Sequence, residues 1–105
     1  MPTPGKHRSL AEKQKAYRTR QAAERNRLLL AKGLPPLPAI SSMPGVPRWK
    51  AMREAALALL CAMLAEMESY RDERSEDWQE GERGEAFEEA LDQVREACDC
   101  LAAVR

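Results

Sequence analysis

The stretch Leu34-Pro-Pro-Leu-Pro-Ala-Ile-Ser-Ser-Met-Pro-Gly-Val-Pro-Arg48 carries an apolar residue at every third position. Proline follows four of these five apolar residues. A period of three fits neither an α-helix nor a β-strand. It matches polyproline II, which has three residues per turn and would extend roughly 43 Å over the fourteen residues 34–47. We expect residues 34–47 to form an extended proline-rich segment with one apolar edge, made of Leu34, Leu37, Ile40, Met43 and Val46.

Helical patterns flank this segment. Ser9 and Glu12 form a capping box, and Gly33 is a C-terminal helix signal, so residues 9–33 are predicted to be a helix. Residues 48–105 are predicted to form an antiparallel helical hairpin, with a connection over residues 75–84. Residues 1–8 have the composition of a disordered tail. The predicted fold class is therefore all-α: an antiparallel helical hairpin, a polyproline-II-like segment packed on it, and a basic N-terminal helix.

The first helix of the hairpin has an apolar stripe that we expect to be its buried face. Leu57 and Leu64 widen the apolar arc further, and the extended segment is expected to cover these two residues and Leu60. Trp49 and Trp78 are expected to anchor the core and the corner. Since the arc is wider than one neighbouring helix covers, we expect two copies to pair as a symmetric homodimer. The stripe consists of Trp49, Met52, Ala56, Leu59, Leu60, Met63, Met67 and Tyr70.

The charges are segregated along the sequence. The 105 residues suit a single domain and have a formal net charge of zero. Residues 1–53 contain 12 Lys or Arg and 2 Asp or Glu, whereas residues 54–105 contain 5 Arg and 15 Asp or Glu. Each half therefore carries ten excess charges of one sign. The two halves are predicted to attract each other or two different partners.

The basic helix is the main candidate for a binding site. Its cations recur every seven residues along both flanks of a thin stripe, which suits phosphates on two sides of a groove, and Tyr17 suits stacking on a base. Contact with a protein and docking on the acidic half of the same chain stay open as alternatives. A superficial likeness of residues 18–27 to a bZIP basic region is rejected, because Gly33 and the prolines forbid a continuous zipper. The candidate residues are Lys13, Lys15, Tyr17, Arg18, Arg20, Arg25, Arg27 and Lys32.

The acidic helix and the prolines offer two further hypotheses. A row of carboxylates on the last helix is either a solvated face or a mimic of DNA phosphates. Lys32 to Pro38 matches the pattern that Src-homology-type grooves bind, although the longer apolar repeat favours docking on the protein's own hairpin. The acidic face consists of Glu85, Glu88, Glu89, Asp92, Glu96 and Asp99.

The residues that catalysis needs are missing from the pattern. There is no glycine-rich phosphate loop, and the single histidine and three cysteines lack metal-ligand spacing. We therefore expect no enzyme, no metal and no cofactor. The longest uncharged apolar run, residues 55–65, is too short to cross a bilayer, and no signal-peptide core lies near Met1. Together with the odd number of cysteines, this predicts a cytoplasmic protein without a membrane partner.

Two stretches carry a resemblance to known proteins. Ala11-Glu-Lys-Gln-Lys-Ala-Tyr-Arg-Thr-Arg-Gln21 resembles the opening of many small proteins that phages, prophages and plasmids of proteobacteria encode. Leu34 to Trp49 followed by Arg74 to Phe87 resembles an uncharacterised family of that origin. The resemblance implies a bacterial cytoplasm and a mobile-element context. It favours two tasks, handling of phage nucleic acid and blocking of a host protein machine such as a defence complex.

The sequence thus predicts a small non-enzymatic interaction protein of mobile-element type. Its basic N-terminal helix is expected to contact nucleic acid or a nucleoprotein complex. One alternative is an inhibitor or adaptor that binds a host protein complex, for example in anti-defence, through the acidic hairpin. A structural component of a virion or scaffold is the other.

Overall fold

The computed structural model describes residues 10–105, and these residues form helices without any strand. The all-α prediction is thereby confirmed for this part of the chain. The predicted tail over residues 1–8, and Ser9 of the predicted capping box, lie outside the described residues. The helices are α1 (Leu10–Ala31), α2 (Val46–Asp72), α3 (Glu76–Glu80) and α4 (Glu82–Ala102).

The chain divides into two compact units, Met1–Pro36 and Leu37–Arg105. The first contains α1 and the second contains α2, α3 and α4. The division falls inside the proline-rich segment. Its physical reason lies in the prolines at the boundary, because Pro35, Pro36 and Pro38 lack amide donors and stop any helix from continuing.

Helix α1 ends shortly before Gly33, the glycine that the sequence indicates as its C-terminal signal. Gly33 has φ +77°, the left-handed region that glycine enters without strain. The Gly33 amide donates to the Leu30 carbonyl at 2.9 Å, and the Leu34 amide donates to the Leu29 carbonyl at 2.9 Å. These two bonds form a Schellman motif, which satisfies carbonyls that the helix end would leave without partners.

Helix α2 begins at Val46, slightly before the predicted start. Gly45 at its N-cap has φ +144°, a conformation that is nearly restricted to glycine. Pro47 occupies the first turn, where its missing amide hydrogen has no cost. The last triplet of the apolar repeat therefore belongs to the helix rather than to the extended segment.

Helices α2 and α4 pack against each other. Arg71 pairs with Glu88 at 3.1 Å, and Glu68, further back along α2, pairs with Arg95, further along α4. Leu91 in α4 is fully buried, and Ala55 and Cys98 are 8% exposed. Among the described residues, only these three apolar side chains are buried, so the unit rests on a small centre and many half-buried contacts.

The connection predicted over residues 75–84 contains the short helix α3, and α4 starts at Glu82. The Ser75 hydroxyl accepts a hydrogen bond from the Trp78 amide at 3.2 Å and so caps α3. The Gln79 side-chain amide donates to the carbonyls of Arg71 and Arg74, at 2.9 and 3.0 Å. This side-chain amide therefore satisfies two carbonyls at the C-terminal end of α2.

The predicted buried stripe of α2 is largely exposed, which corrects the sequence-based assignment. Trp49 is 59% exposed, Met63 41% and Tyr70 47%, so Trp49 does not anchor a core. Helix α4 lies instead against the side that carries Glu68 and Arg71. Because α2 is apolar on several sides, its periodicity does not select which side a neighbour covers.

The proline-rich segment is only partly packed. Leu34 and Leu37 are half-buried, whereas Ile40 is 47% exposed, Met43 75% and Val46 70%. The expectation that all five apolar side chains pack against helices is wrong for these last three. The physical reason lies in the proline-free triplet Ile40-Ser-Ser, where the Met43 amide donates to the Ser41 hydroxyl at 3.2 Å and bends the chain.

Candidate nucleic-acid interface

Helix α1 presents its cations to solvent. None of its residues is fully buried, and the seven cations of the candidate site are all exposed. At about 100° per residue, they form two rows on either side of the stripe through Tyr17 and Leu28, with Lys15 on the far side. One row is Lys13, Arg20 and Arg27, and the other is Arg18, Arg25 and Lys32.

Tyr17 lies between cations on the surface of α1. It is 57% exposed, and a shallow hollow of about 280 Å³ beside it is lined by Leu10, Lys13, Gln14 and Arg20. An exposed ring flanked by two cations can stack on a base while the cations reach the neighbouring phosphates. The hollow thus combines the groups that a single-stranded nucleic acid would contact.

One cation of the site is paired within the helix. The Arg27 guanidinium donates to the Glu24 carboxylate one turn earlier, with Nε and Oε2 separated by 3.1 Å. This hydrogen bond, reinforced by the charge of Arg27, lowers the pKa of Glu24 and raises that of Arg27. The other six cations form no ion pair with the residues that the structure describes.

The predicted acidic face is not uniformly free. Glu88 is half-buried and bonded to Arg71, and Arg95 lies 3.7 Å from Glu88 and 3.0 Å from Asp92. Hydrogen bonds to Glu88, and secondly to Asp72, raise the pKa of Arg71. Two of the six carboxylates are therefore neutralised by arginines, which weakens the comparison with a row of phosphates. The other four, Glu85, Glu89, Glu96 and Asp99, are exposed.

Three aromatic rings meet where α2, α3 and α4 converge. The Tyr70 centroid lies 6.0 Å from Trp78 and 5.5 Å from Phe87, and Trp78 lies 5.6 Å from Phe87. The Arg74 guanidinium lies 4.3 Å from the Tyr70 ring centroid, a cation–π distance. Trp78 therefore does anchor this corner, as the sequence predicts.

An open groove runs beside these rings. It has a volume of about 520 Å³ and is lined by the three aromatic side chains together with Met63, Glu66, Met67 and Arg83. This groove is not evident from the sequence. Met63, Met67 and Tyr70 recur at helical spacing, which predicts a core, and periodicity does not distinguish a buried stripe from an exposed one.

Cysteines and carboxylates are dispersed in the described part of the chain. No group of three or more His, Cys, Asp or Glu side chains there could hold a metal ion. Cys61, Cys98 and Cys100 are free thiols. Burial, with the nearby Cys61 thiol, raises the pKa of Cys98. Over residues 10–105, no helix is long and apolar enough to cross a bilayer.

Comparison with protein-family models gives no match, and comparisons with curated proteins and solved structures give none either. The resemblance to mobile-element proteins therefore stays a prediction.

Proposed function

We propose that the protein binds nucleic acid, alone or within a nucleoprotein complex, through helix α1. The observation that carries this proposal is the set of exposed cations on α1, since five of the six cations in the two rows, and Lys15 on the far side, form no ion pair with the described residues. Cations that already pair with carboxylates would have to break those pairs before contacting phosphates. The unpaired cations of α1 have no such pair to break, so they can contact phosphates and release counterions directly.

Tyr17 gives this site a second type of contact. A ring stacked on an unpaired base contributes about 1–3 kcal/mol, and it tolerates any base because every base has a π-face. The site therefore suits single strands, or unpaired regions of a duplex, with little sequence preference. In line with the resemblance, we place this activity in a bacterial cytoplasm and on the nucleic acid of a mobile element.

The proline-rich segment has a proposed architectural role beside this site. Ala55 in α2 is only 8% exposed. The side of α2 that faces α4 carries Leu57, and Ala55 lies about 170° round the helix from it. Another part of the protein must therefore cover Ala55. Leu37 and Pro38 are half-buried and belong to the same compact unit as Ala55. Shortly after them, the Ser41 carbonyl accepts a hydrogen bond from Arg48 in α2, at 2.7 Å. We assign the cover to the polyproline-II-like stretch around Leu37.

The binding proposal is tested by fluorescence anisotropy with labelled single-stranded DNA, duplex DNA and RNA at several salt concentrations. Reversing three cations of α1, Arg18→Glu, Arg20→Glu and Arg25→Glu together, should weaken binding to each probe. For duplex DNA it should also make the slope of log K against log salt shallower by about 2.7, at about 0.9 per lost phosphate contact. Tyr17→Ala should weaken binding to single strands more than to duplex.

A matched control carries the same change of net charge elsewhere. The exposed cations Lys50, Arg83 and Arg105 are all replaced by Glu, and circular dichroism checks that both triple variants keep their helices. The proposal fails if the control loses as much affinity as the α1 variant, or if binding at low salt is weaker than about 1 mM. A nuclease-resistant protein partner that the α1 variant retains would favour the adaptor hypothesis instead.

A further inference from the structure

An exposed apolar stripe runs along α2 in unit Leu37–Arg105. Counting about 100° per residue, it lies about 120° round the helix from the side that faces α4. It extends over roughly 32 Å, at about 1.5 Å per residue. Its side chains are 39–59% exposed, far more than those of a helix face that packs in the same molecule. The stripe consists of Trp49, Met52, Leu59, Met63 and Tyr70.

The two ends of the stripe have opposite shapes. At the N-terminal end, Trp49 projects with 59% of its surface exposed. At the C-terminal end, the groove of about 520 Å³ lies between Met63, Tyr70, Trp78 and Phe87. An indole is a large apolar group that fits an aromatic groove of this kind.

One flank of the stripe carries positive charge near the N-terminus of α2 and negative charge near its C-terminus. Helix α2 has no acidic residue in its first turn, and Arg48 lies there on one flank. Glu66 and Glu73 lie on the same flank towards the C-terminus. When two helices pair antiparallel about a two-fold axis, equal flanks face each other. Arg48 of one copy then lies beside Glu73 of the other.

We propose that two copies of the chain pair antiparallel through the α2 stripe, with Trp49 of each copy inserted in the aromatic groove of the other. A register centred beside Leu59 places Trp49 opposite Tyr70 of the second copy and Met52 opposite its Met67. The contact is made twice by the symmetry and is closed, so that it produces a dimer rather than a filament. This dimer does not depend on nucleic-acid binding by α1.

The mass in solution, measured by sedimentation equilibrium on the full chain, should be twice the 11.8 kDa of one copy. Trp49→Ala and Leu59→Glu should each shift the protein to the monomer, while circular dichroism shows unchanged helix content. Met43→Ala is the matched control, because Met43 is 75% exposed and lies off the stripe. A monomer at concentrations up to about 1 mM overturns the proposal, and so does a dimer that both variants leave intact.

The antiparallel register is tested by charge exchange and by cross-linking. Arg48→Glu and Glu73→Arg should each weaken the dimer, and the double variant should recover most of the loss. Mild oxidation of Leu59→Cys with diamide should give a link between the two introduced thiols, identified by peptide mass mapping, whereas Met52→Cys should give none. A link at position 52 instead of 59, or no recovery in the double variant, rejects this register. Dissociation by the α1 charge reversal would mean that α1 is the occupant of the stripe and would overturn the proposal.

Discussion

Gly84 is a position where the lack of a side chain decides the local packing. It is buried in the first turn of α4, and a Cβ built on it would lie 2.2 Å from the Gln79 carbonyl oxygen and 2.4 Å from that of Trp78. Both atoms belong to the backbone of α3, which cannot move aside as a flexible side chain would. The corner between α3 and α4 therefore requires glycine at this position.

Gly84→Ala is expected to lower the free energy of unfolding by about 2–3 kcal/mol, as overpacking at a rigid contact does. Urea denaturation followed by circular dichroism measures this loss. Glu82→Ala, in the same turn but exposed, serves as the control and should change stability by less than about 0.5 kcal/mol. Equal stability of the Gly84 variant and the wild type would contradict the close approach of α3.

The three thiols differ in exposure and are expected to differ in reactivity. Cys61 and Cys100 are exposed, whereas Cys98 is buried and its pKa is raised by desolvation and by Cys61. Since the thiolate is the reactive form, iodoacetamide should modify Cys98 last of the three. Mass spectrometry of a labelling time course measures the order. Labelling of Cys98 at the rate of Cys100 would show that this part of α4 is not packed as described.

At the scale of elements, an ion-pair network joins α2 and α4 beside their apolar contacts. Glu88 accepts two hydrogen bonds from Arg71, at 3.2 and 3.1 Å, and lies near Arg95. Glu88→Ala should therefore lower the Tm more than Glu89→Ala, a neighbouring exposed carboxylate. Differential scanning fluorimetry at low and high salt measures both, and the difference should shrink as salt rises. Identical shifts would mean that the network contributes nothing.

The proline-rich segment is expected to contribute stability through its first half only. Leu37→Ala should lower the free energy of unfolding by about 1–2 kcal/mol, because a half-buried leucine loses about half of the 2–5 kcal/mol that a fully buried one costs. Met43→Ala should have little effect, since Met43 is 75% exposed. Chemical denaturation compares the two variants. A larger effect at Met43 than at Leu37 would contradict the proposed cover over Ala55.

At the scale of the whole molecule, segregated charge gives the protein one basic helix and one acidic unit. A polyanion attracted by α1 is repelled by the excess acid of residues 54–105. Replacing the exposed Glu85, Glu89 and Glu96 by Gln should therefore tighten nucleic-acid binding at low salt. The gain should vanish at high salt, because screening shortens the reach of the repulsion to a few ångströms. Unchanged affinity at low salt would contradict this repulsion.

The sequence by itself determined the local features, because each depends on a few neighbouring residues. Gly33 ended α1 through its left-handed conformation, Pro47 opened α2, and the spacing of cations placed two rows on α1. Two helices joined by a short connection were also predicted over residues 48–105, and α2 and α4 correspond to them.

Only the tertiary structure decided which surfaces are covered. Helix α2 is apolar on more than one side, so its sequence is equally compatible with burying Trp49 and with exposing it. Which side faces α4 depends on partners distant in sequence, such as Arg71 with Glu88, and on the close approach that Gly84 permits. The aromatic groove and the exposed stripe follow from that choice. The hydrophobic effect is non-directional, so only long-range contacts determine which apolar side of α2 is buried.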